Sequence, residues 1–203
     1  MSIPALWGAA AMMVAALGIS GAWAQSGDGD AARGRALAET RNCAQCHGPA
    51  GVSEMPVVPS LAGQQGEFLT LQMILFREGL RRVPPMVDAM RGLSDGELED
   101  LSAWYASLPS TQQVDRGPAD AALLARGAEV SAGRNCNACH LPTYVGRANI
   151  PRINHQREDF LEHTLLEYRD GGRVGTDTNM NGLMHGLTDA DVTALAHFLA
   201  QQP

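Results

Sequence analysis

Cys43-Ala44-Gln45-Cys46-His47 and Cys136-Asn137-Ala138-Cys139-His140 are the two stretches on which the reading of this chain turns. They use all four cysteines, and each sits at the same place in a unit that is written twice. Arg33-Gly34 and Arg126-Gly127 precede them; Arg41-Asn42 and Arg134-Asn135 lead directly into them. Downstream, Pro59-Ser60-Leu61 answers Pro151-Arg152-Ile153, and Gln64 with Phe68 answers Gln156 with Phe160. Arg77-Glu78-Gly79 answers Arg169-Asp170-Gly171. Met86, Met90 and Gly92-Leu93-Ser94-Asp95 answer Met180, Met184 and Gly186-Leu187-Thr188-Asp189. A repeat of about 90 residues is small for a core that must stand alone, so a cofactor, metal or disulfide is expected in each unit.

Cys-x-x-Cys-His is the attachment signature of c-type haem. Two thiols add across the vinyl groups of one porphyrin, so they must share one short turn. The histidine that follows then falls beneath the iron and supplies its proximal nitrogen. Other uses of the cysteines fit less well. The pairs are too far apart for a zinc ribbon, a thioredoxin-like pair would want a βαβ setting, and plain disulfides leave each following His unexplained. Cys43, Cys46, Cys136 and Cys139 are therefore expected to hold two covalent haems, with His47 and His140 on iron.

Composition narrows the remaining choices. The chain has 203 residues, 15 basic against 22 acidic, for a formal charge of -7. Every basic residue is Arg, which removes lysine nucleophiles, Schiff bases and P-loop lysines. An acidic chain lacks the basic face that nucleic-acid phosphates require. Aromatics are 5%, thin for a core of this size unless it packs around something the gene does not encode.

Residues 1–24 carry no charged side chain. An apolar run ends in Ala22-Trp23-Ala24, which fits the small-x-small cleavage pattern of a secretory signal. Export to the periplasm follows, with membrane attachment only if that segment is retained. The expected layout is a signal over 1–24, domains over 25–109 and 119–203, and a polar linker over 110–118.

The fold expected is all-α. Helices are predicted over 28–42 and 120–135, leading into the motifs, over 66–78 with Phe68, Leu71 and Leu75 on one face, and over 158–168 with Phe160, Leu165 and Tyr168 inward. Ser94-x-x-Glu97 opens the last helix of unit one as a capping box, with Leu98, Leu101, Tyr105 and Leu108 buried. Val192, Leu195 and Leu199 take that role in unit two, in a helix opening at Thr188-Asp189.

A second axial ligand is expected from the loop before each last helix. Pro84-Pro85 predicts extended chain just ahead of Met86, and Met180 stands at the matching place. Met90 and Met184 lie closer to the helix start and are expected to pack against the haem edge. In unit two, His155, His163 and His185 offer further nitrogens.

On the stretches Cys43 to Pro49, Pro59 to Gln64, Gln72-Met73, Phe76 to Gly79, Leu93 to Asp95 and Leu101 to Leu108, the chain resembles the cytochrome c4 family of dihaem cytochromes. The resemblance implies two class I cytochrome c domains facing each other, with axial pairs His47–Met86 and His140–Met180. It also implies that the carbonyls of Pro59 and Pro151 accept the Nδ1 proton of each histidine. Unit two departs from the pattern, with Leu141-Pro142 for Gly48-Pro49 and a polar loop from Thr176 to Met180.

The expected function is outer-sphere electron transfer between a dehydrogenase or bc1-type donor and a terminal oxidase or other acceptor, with no small-molecule substrate. Two alternatives are a cytochrome subunit bound within a dehydrogenase complex and a dihaem enzyme such as a thiosulfate dehydrogenase. An enzyme would need an exchangeable iron position, and both units offer Met at the like place.

Overall fold

The computed structural model describes residues 29–110, 118–173 and 178–203. The expected signal peptide, most of the linker, Asp28 and Thr176 lie outside the described residues. Within them the chain is helical, and the one β-bridge joins Arg147 to Ile150.

Unit one comprises α1 (Ala31–Thr40), α2 (Ala44–His47), α3 (Gly66–Arg77), α4 (Pro84–Met90) and α5 (Asp95–Ser107). Unit two comprises α6 (Ala121–Gly133), α7 (Cys136–His140), α8 (Glu158–Arg169), α9 (Thr178–Met184) and α10 (Asp189–Ala200). In each unit the first and last helices pack together, and the third helix packs on the last. The first helices start where a side chain can satisfy the orphan amides. Asp30 accepts from Ala32 and Arg33 at 2.8 and 2.9 Å, and Asp120 accepts from Ala122 and Leu123 at 2.8 and 3.0 Å.

The first and last helices approach closely because a glycine stands at each crossing. A Cβ on Gly34 would lie 1.9 Å from the Asp100 carbonyl oxygen, and one on Gly127 would lie 2.2 Å from that of Ala194. The arginine before each glycine reaches across to the last helix. Arg33 binds Asp100 through Nε at 2.7 Å, and Arg126 binds Asp191 through Nη2 at 2.6 Å.

The expected box at Ser94 and Glu97 is present, and unit two has its own, from Thr188 and Asp191. The Asp191 carboxylate accepts from the Thr188 hydroxyl and backbone at 2.8 and 3.1 Å. Those bonds, with Arg126 beside them, hold its carboxyl down from 3.8 to about 2. A depressed pKa contributes stability that is complete above the unfolded value and is lost as pH falls through the folded one. Asp191→Asn is therefore expected to flatten the fall in the melting temperature of unit two between pH 3.8 and about 2, read by thermal unfolding across that range.

Of the stripe expected on α3, Leu75 is buried as expected, but its neighbours on that face differ. Leu69, Met73, Leu75 and Phe76 are buried, while Phe68 and Leu71 are half-buried. The helix is apolar almost all round, so periodicity alone suits either face, and packing on α5 makes the choice. On α8, Leu161 joins Leu165 and Tyr168 in the core and Phe160 stays half-buried. Leu98, Leu101 and Tyr105 are buried as expected, with Leu108 half-buried; Val192, Leu195 and Leu199 are buried.

A second correction concerns Pro84-Pro85. Instead of extended chain, they occupy the first two positions of α4. Proline suits that place, since its missing N–H would be unsatisfied there anyway and its fixed φ is helical. Val83, the residue before them, takes the extended conformation at φ -120° and ψ 100°. Met86 and Met180 thus lie in short helices, at the third position of α4 and of α9.

The two units are joined face to face by a reciprocal pair of glutamines. Gln64 grips the backbone of Arg152, donating to its carbonyl at 2.9 Å and accepting from its N–H at 2.7 Å. Gln156 does the same to Ser60, at 2.9 Å in both directions. Both amides are buried, so each bond replaces one that water would otherwise make.

Candidate haem sites

Each Cys-x-x-Cys-His motif is set by the turn before it. Asn42 and Asn135 adopt left-handed backbone, at φ 55° and 52°. Asparagine tolerates that conformation better than most side chains. The chain then winds into one short helix that carries the second thiol and the imidazole, with Cys43 capping α2 and Cys136 opening α7. Cys43, Cys46 and Cys136 are half-buried free thiols and Cys139 is exposed. Burial pushes the Cys43 and Cys136 thiols up, against smaller opposing bonds from Tyr105 and Ser131. Among the described residues no three His, Cys, Asp or Glu side chains gather as a metal site, so the two thiol pairs do not converge on one zinc ion.

The motif ends differ. Gly48 follows His47 at φ 78°, whereas Leu141 follows His140 at φ 67°. The missing glycine noted in the sequence therefore leaves a branched side chain in a conformation that costs about 1–3 kcal/mol.

His47 and His140 are buried, and in each the Nδ1 atom lies 2.9 Å from a proline carbonyl, Pro59 and Pro151 respectively. A carbonyl only accepts, so Nδ1 carries the proton and Nε2 keeps its lone pair. Burial pushes the His47 pKa down, more than the bond to Pro59 raises it, which favours a neutral ligand-type ring. The Pro59 carbonyl is positioned in turn, because the next residue, Ser60, is held by Gln156 from the other unit. Pro151 is placed the same way through Arg152 and Gln64.

Met86 packs against the core that Cys43 also touches, and Met180 against the core that Cys136 touches. Met90 and Met184 lie deeper, as members of those cores. Asn181 fixes α9 by donating to the Tyr168 carbonyl at 2.7 Å. Of the other nitrogens in unit two, His163 faces Glu167 at 3.5 Å on the half-exposed side of α8. His155 Nδ1 lies 3.3 Å from Ser110 Oγ, and His185 is exposed.

Sequence reasoning did not find two features. Gln64 and Gln156 were visible as repeat partners, but their role across the interface depends on the second unit. His197 is buried, accepts from the Asp120 N–H at 3.0 Å through Nε2, and has Nδ1 3.0 Å from Glu158. It ties the start of α6 to α10 and α8, and no motif marks it.

The donor set fits covalent haem in each unit: two thiols on one turn, an imidazole whose Nδ1 is held by a proline carbonyl, and a thioether beside the same apolar core. Residues 29–104 match the family model described as cytochrome c oxidase, cbb3-type, subunit III, and residues 124–203 match that described as cytochrome c. A cytochrome c4 from Pseudomonas aeruginosa is 34% identical over 84% of this chain and 88% of its own. A protein from Stutzerimonas stutzeri described as a thiosulfate dehydrogenase electron acceptor is 34% identical over 87% of each chain. The crystal structure of reduced recombinant cytochrome c4 from Pseudomonas stutzeri superposes with a TM-score of 0.77 at 30% identity, covering 86% of this chain and 100% of that one. With two cytochrome c domains, two implied covalent haems and this likeness along most of its length, the chain belongs to the cytochrome c4 family of electron-transfer proteins.

Proposed function

We propose that the chain is a periplasmic electron carrier, and that iron is held by His47 with Met86 in unit one and by His140 with Met180 in unit two. Cys43 with Cys46 and Cys136 with Cys139 carry the thioether links. Pro59 and Pro151 orient the histidines. Residues 25–109 and 119–203 form the two domains, with 110–118 between them and 1–24 as the export signal. The observation that carries this reading is the repeated bond from a buried His Nδ1 to a proline carbonyl, at 2.9 Å in both units.

Haem, when bound, supplies an iron that alternates between ferrous and ferric. The chain's own part is to keep its surroundings unchanged through that cycle. The proline carbonyls fix each imidazole ring and raise its basicity. Met86 and Met180 would supply thioethers to the iron, and neutral thioether ligation with burial would favour the ferrous form. The glutamine clasp holds the two units at fixed spacing. Substrate chemistry would need an exchangeable position, and a thioether at the like place in both units argues against one.

Docking cannot use lysine, since the chain has none. Arginines and the exposed apolar side chains of Met55, Val57, Leu80 and Val145 are what it offers a membrane oxidase, a bc1-type complex or a dehydrogenase. The likeness to a thiosulfate dehydrogenase electron acceptor supports a dehydrogenase as one donor.

The test is near-infrared absorption of the ferric protein, where a weak sulfur-to-iron band reports Met ligation. The expected intensity is that of two Met-ligated haems per chain. Intensity for a single haem would withdraw one thioether and restore the enzyme reading.

A further inference from the structure

The two units exchange residues at one point in their cores, and in both a buried phenol ends near the first cysteine of the motif. Gly51 and Tyr144 are equivalent by their bonds. Gly51 donates its N–H to the Gly48 carbonyl and Tyr144 donates to that of Leu141, both at 3.0 Å. Each carbonyl accepts two N–H groups, from Leu61 and Ala62 in unit one and from Ile153 and Asn154 in unit two. Both residues take left-handed backbone, at φ 71° and 57°. Glycine is at home there, whereas a bulky side chain is an outlier. On the last helices the exchange runs the other way. Counted from the caps at Ser94 and Thr188, Tyr105 in α5 stands where α10 has Leu199. A Cβ on Gly51 would lie 3.0 Å from Tyr105 Cδ1, so that ring fills the space into which a side chain at position 51 would grow. Unit two has Leu199 on its helix and brings its tyrosine from the loop, into the core that Cys136 also touches.

The hydroxyls of both rings lead to a sulfur. Tyr105 bonds the Cys43 thiol. Tyr144 Oη lies 2.9 Å from Ser131 Oγ, and Ser131 bonds the Cys136 thiol. Ser131 is itself a departure from the repeat, standing where unit one has Ala38. All three hydroxyl-bearing residues are buried, where a hydroxyl is costly unless it is bonded. Phenylalanine and alanine would fill the same space without that cost. Two arrangements built from different residues thus share one outcome, an O–H group at the first cysteine. Burial pushes the Tyr105 phenol up, so it keeps a proton to donate.

We propose that Tyr105 in unit one, and Ser131 backed by Tyr144 in unit two, each place a hydrogen-bond donor on the first thioether sulfur of their haem and so bias its iron toward the ferrous state. This rests on the dihaem reading above. A thioether sulfur carries no proton and can only accept. The added electron density of a reduced haem makes its sulfur the better acceptor, so the bond is stronger in the ferrous state. Tyr144 is a positioning residue: by donating to Ser131 it strengthens the serine as a donor in turn.

Spectroelectrochemical titration of the full dihaem protein tests the donors. Tyr105→Phe keeps the ring and removes the hydroxyl. It is expected to move one reduction step about threefold toward ferric, the scale of one weak hydrogen bond. That is about 28 mV for one electron. Ser131→Ala should move the other step by a similar factor, and Tyr144→Phe should move that same step less. Ser131→Thr keeps a hydroxyl and should restore the wild-type value. A second readout is the resonance Raman band of the thioether C–S stretch. It should shift when the wild-type protein is moved into D2O, and part of that shift should vanish in Tyr105→Phe, which a merely structural role would not cause. Haem-loaded Tyr105→Phe and Ser131→Ala whose steps coincide with wild type, or which both move the same step, would overturn the proposal. A C–S band that D2O leaves in place in the wild type would overturn it too, whatever the variants do. A wild-type chain that takes up no haem would sink the dihaem reading, and the donors with it, before any variant is made.

Discussion

Met86→His is expected to split the two haems far apart in potential. Imidazole in place of thioether removes the ligand that favours ferrous iron, and axial ligation moves potentials across about 0.8 V in all. One of the two one-electron steps should fall by a large part of that range while the other stays close to its original value. The near-infrared sulfur band should drop to half. Met90→Leu is the contrast. Met90 is 3% exposed within the unit-one core, so the change is a volume-conserving swap that costs less than about 1.5 kcal/mol. Its sulfur band should be intact. If the band instead halves in the Met90 variant and survives in the Met86 variant, the ligand assignment reverses.

Gly34→Val should be the most damaging change to the fold itself. The added Cβ would sit 1.9 Å from the Asp100 carbonyl oxygen, and that oxygen belongs to the backbone of α5. Neither helix can yield by rotating a side chain, so α1 and α5 must separate. The loss is expected to exceed about 4 kcal/mol, the range of changes that break a close-packed crossing. Unit one should then unfold in calorimetry while the unit-two transition persists. Gly127→Val should do the same to unit two, where the clash is 2.2 Å with the Ala194 carbonyl oxygen. Gly133→Ala is the control, since a Cβ there meets nothing within 4 Å. It should be neutral, or raise stability by up to about 1 kcal/mol by restricting the unfolded chain. Retention of the unit-one transition in Gly34→Val would mean that the helices cross elsewhere.

These two results draw on different kinds of knowledge. The Met positions were legible from the repeat, because Met86 and Met180 stand at the same distance before a helix cap. Their setting was not. Pro84-Pro85 excludes a helix only for the residue before it, and the structure uses the pair to start α4. Gly34 and Gly127 were legible as repeat markers, but a glycine says that space is short without saying what fills it. Part of the stripe on α3 was misplaced for a related reason. Where apolar residues are spread round the whole helix, the period no longer selects a face, and the partner helix does.

Two Cys-x-x-Cys-His motifs in a repeat, the helical class, the capping box at Ser94 and the helix opening at Thr188 could all be read along the chain. These are local, written within a few residues of one another, so spacing alone fixes them. How the units meet could be seen only once the chain was folded. Gln64 on Arg152, Gln156 on Ser60 and Arg173 on Gln72 join residues 88, 96 and 101 positions apart. Contacts of that span leave no period in the chain, because what they satisfy is the polar atom of a distant segment that becomes a neighbour only when both units are folded.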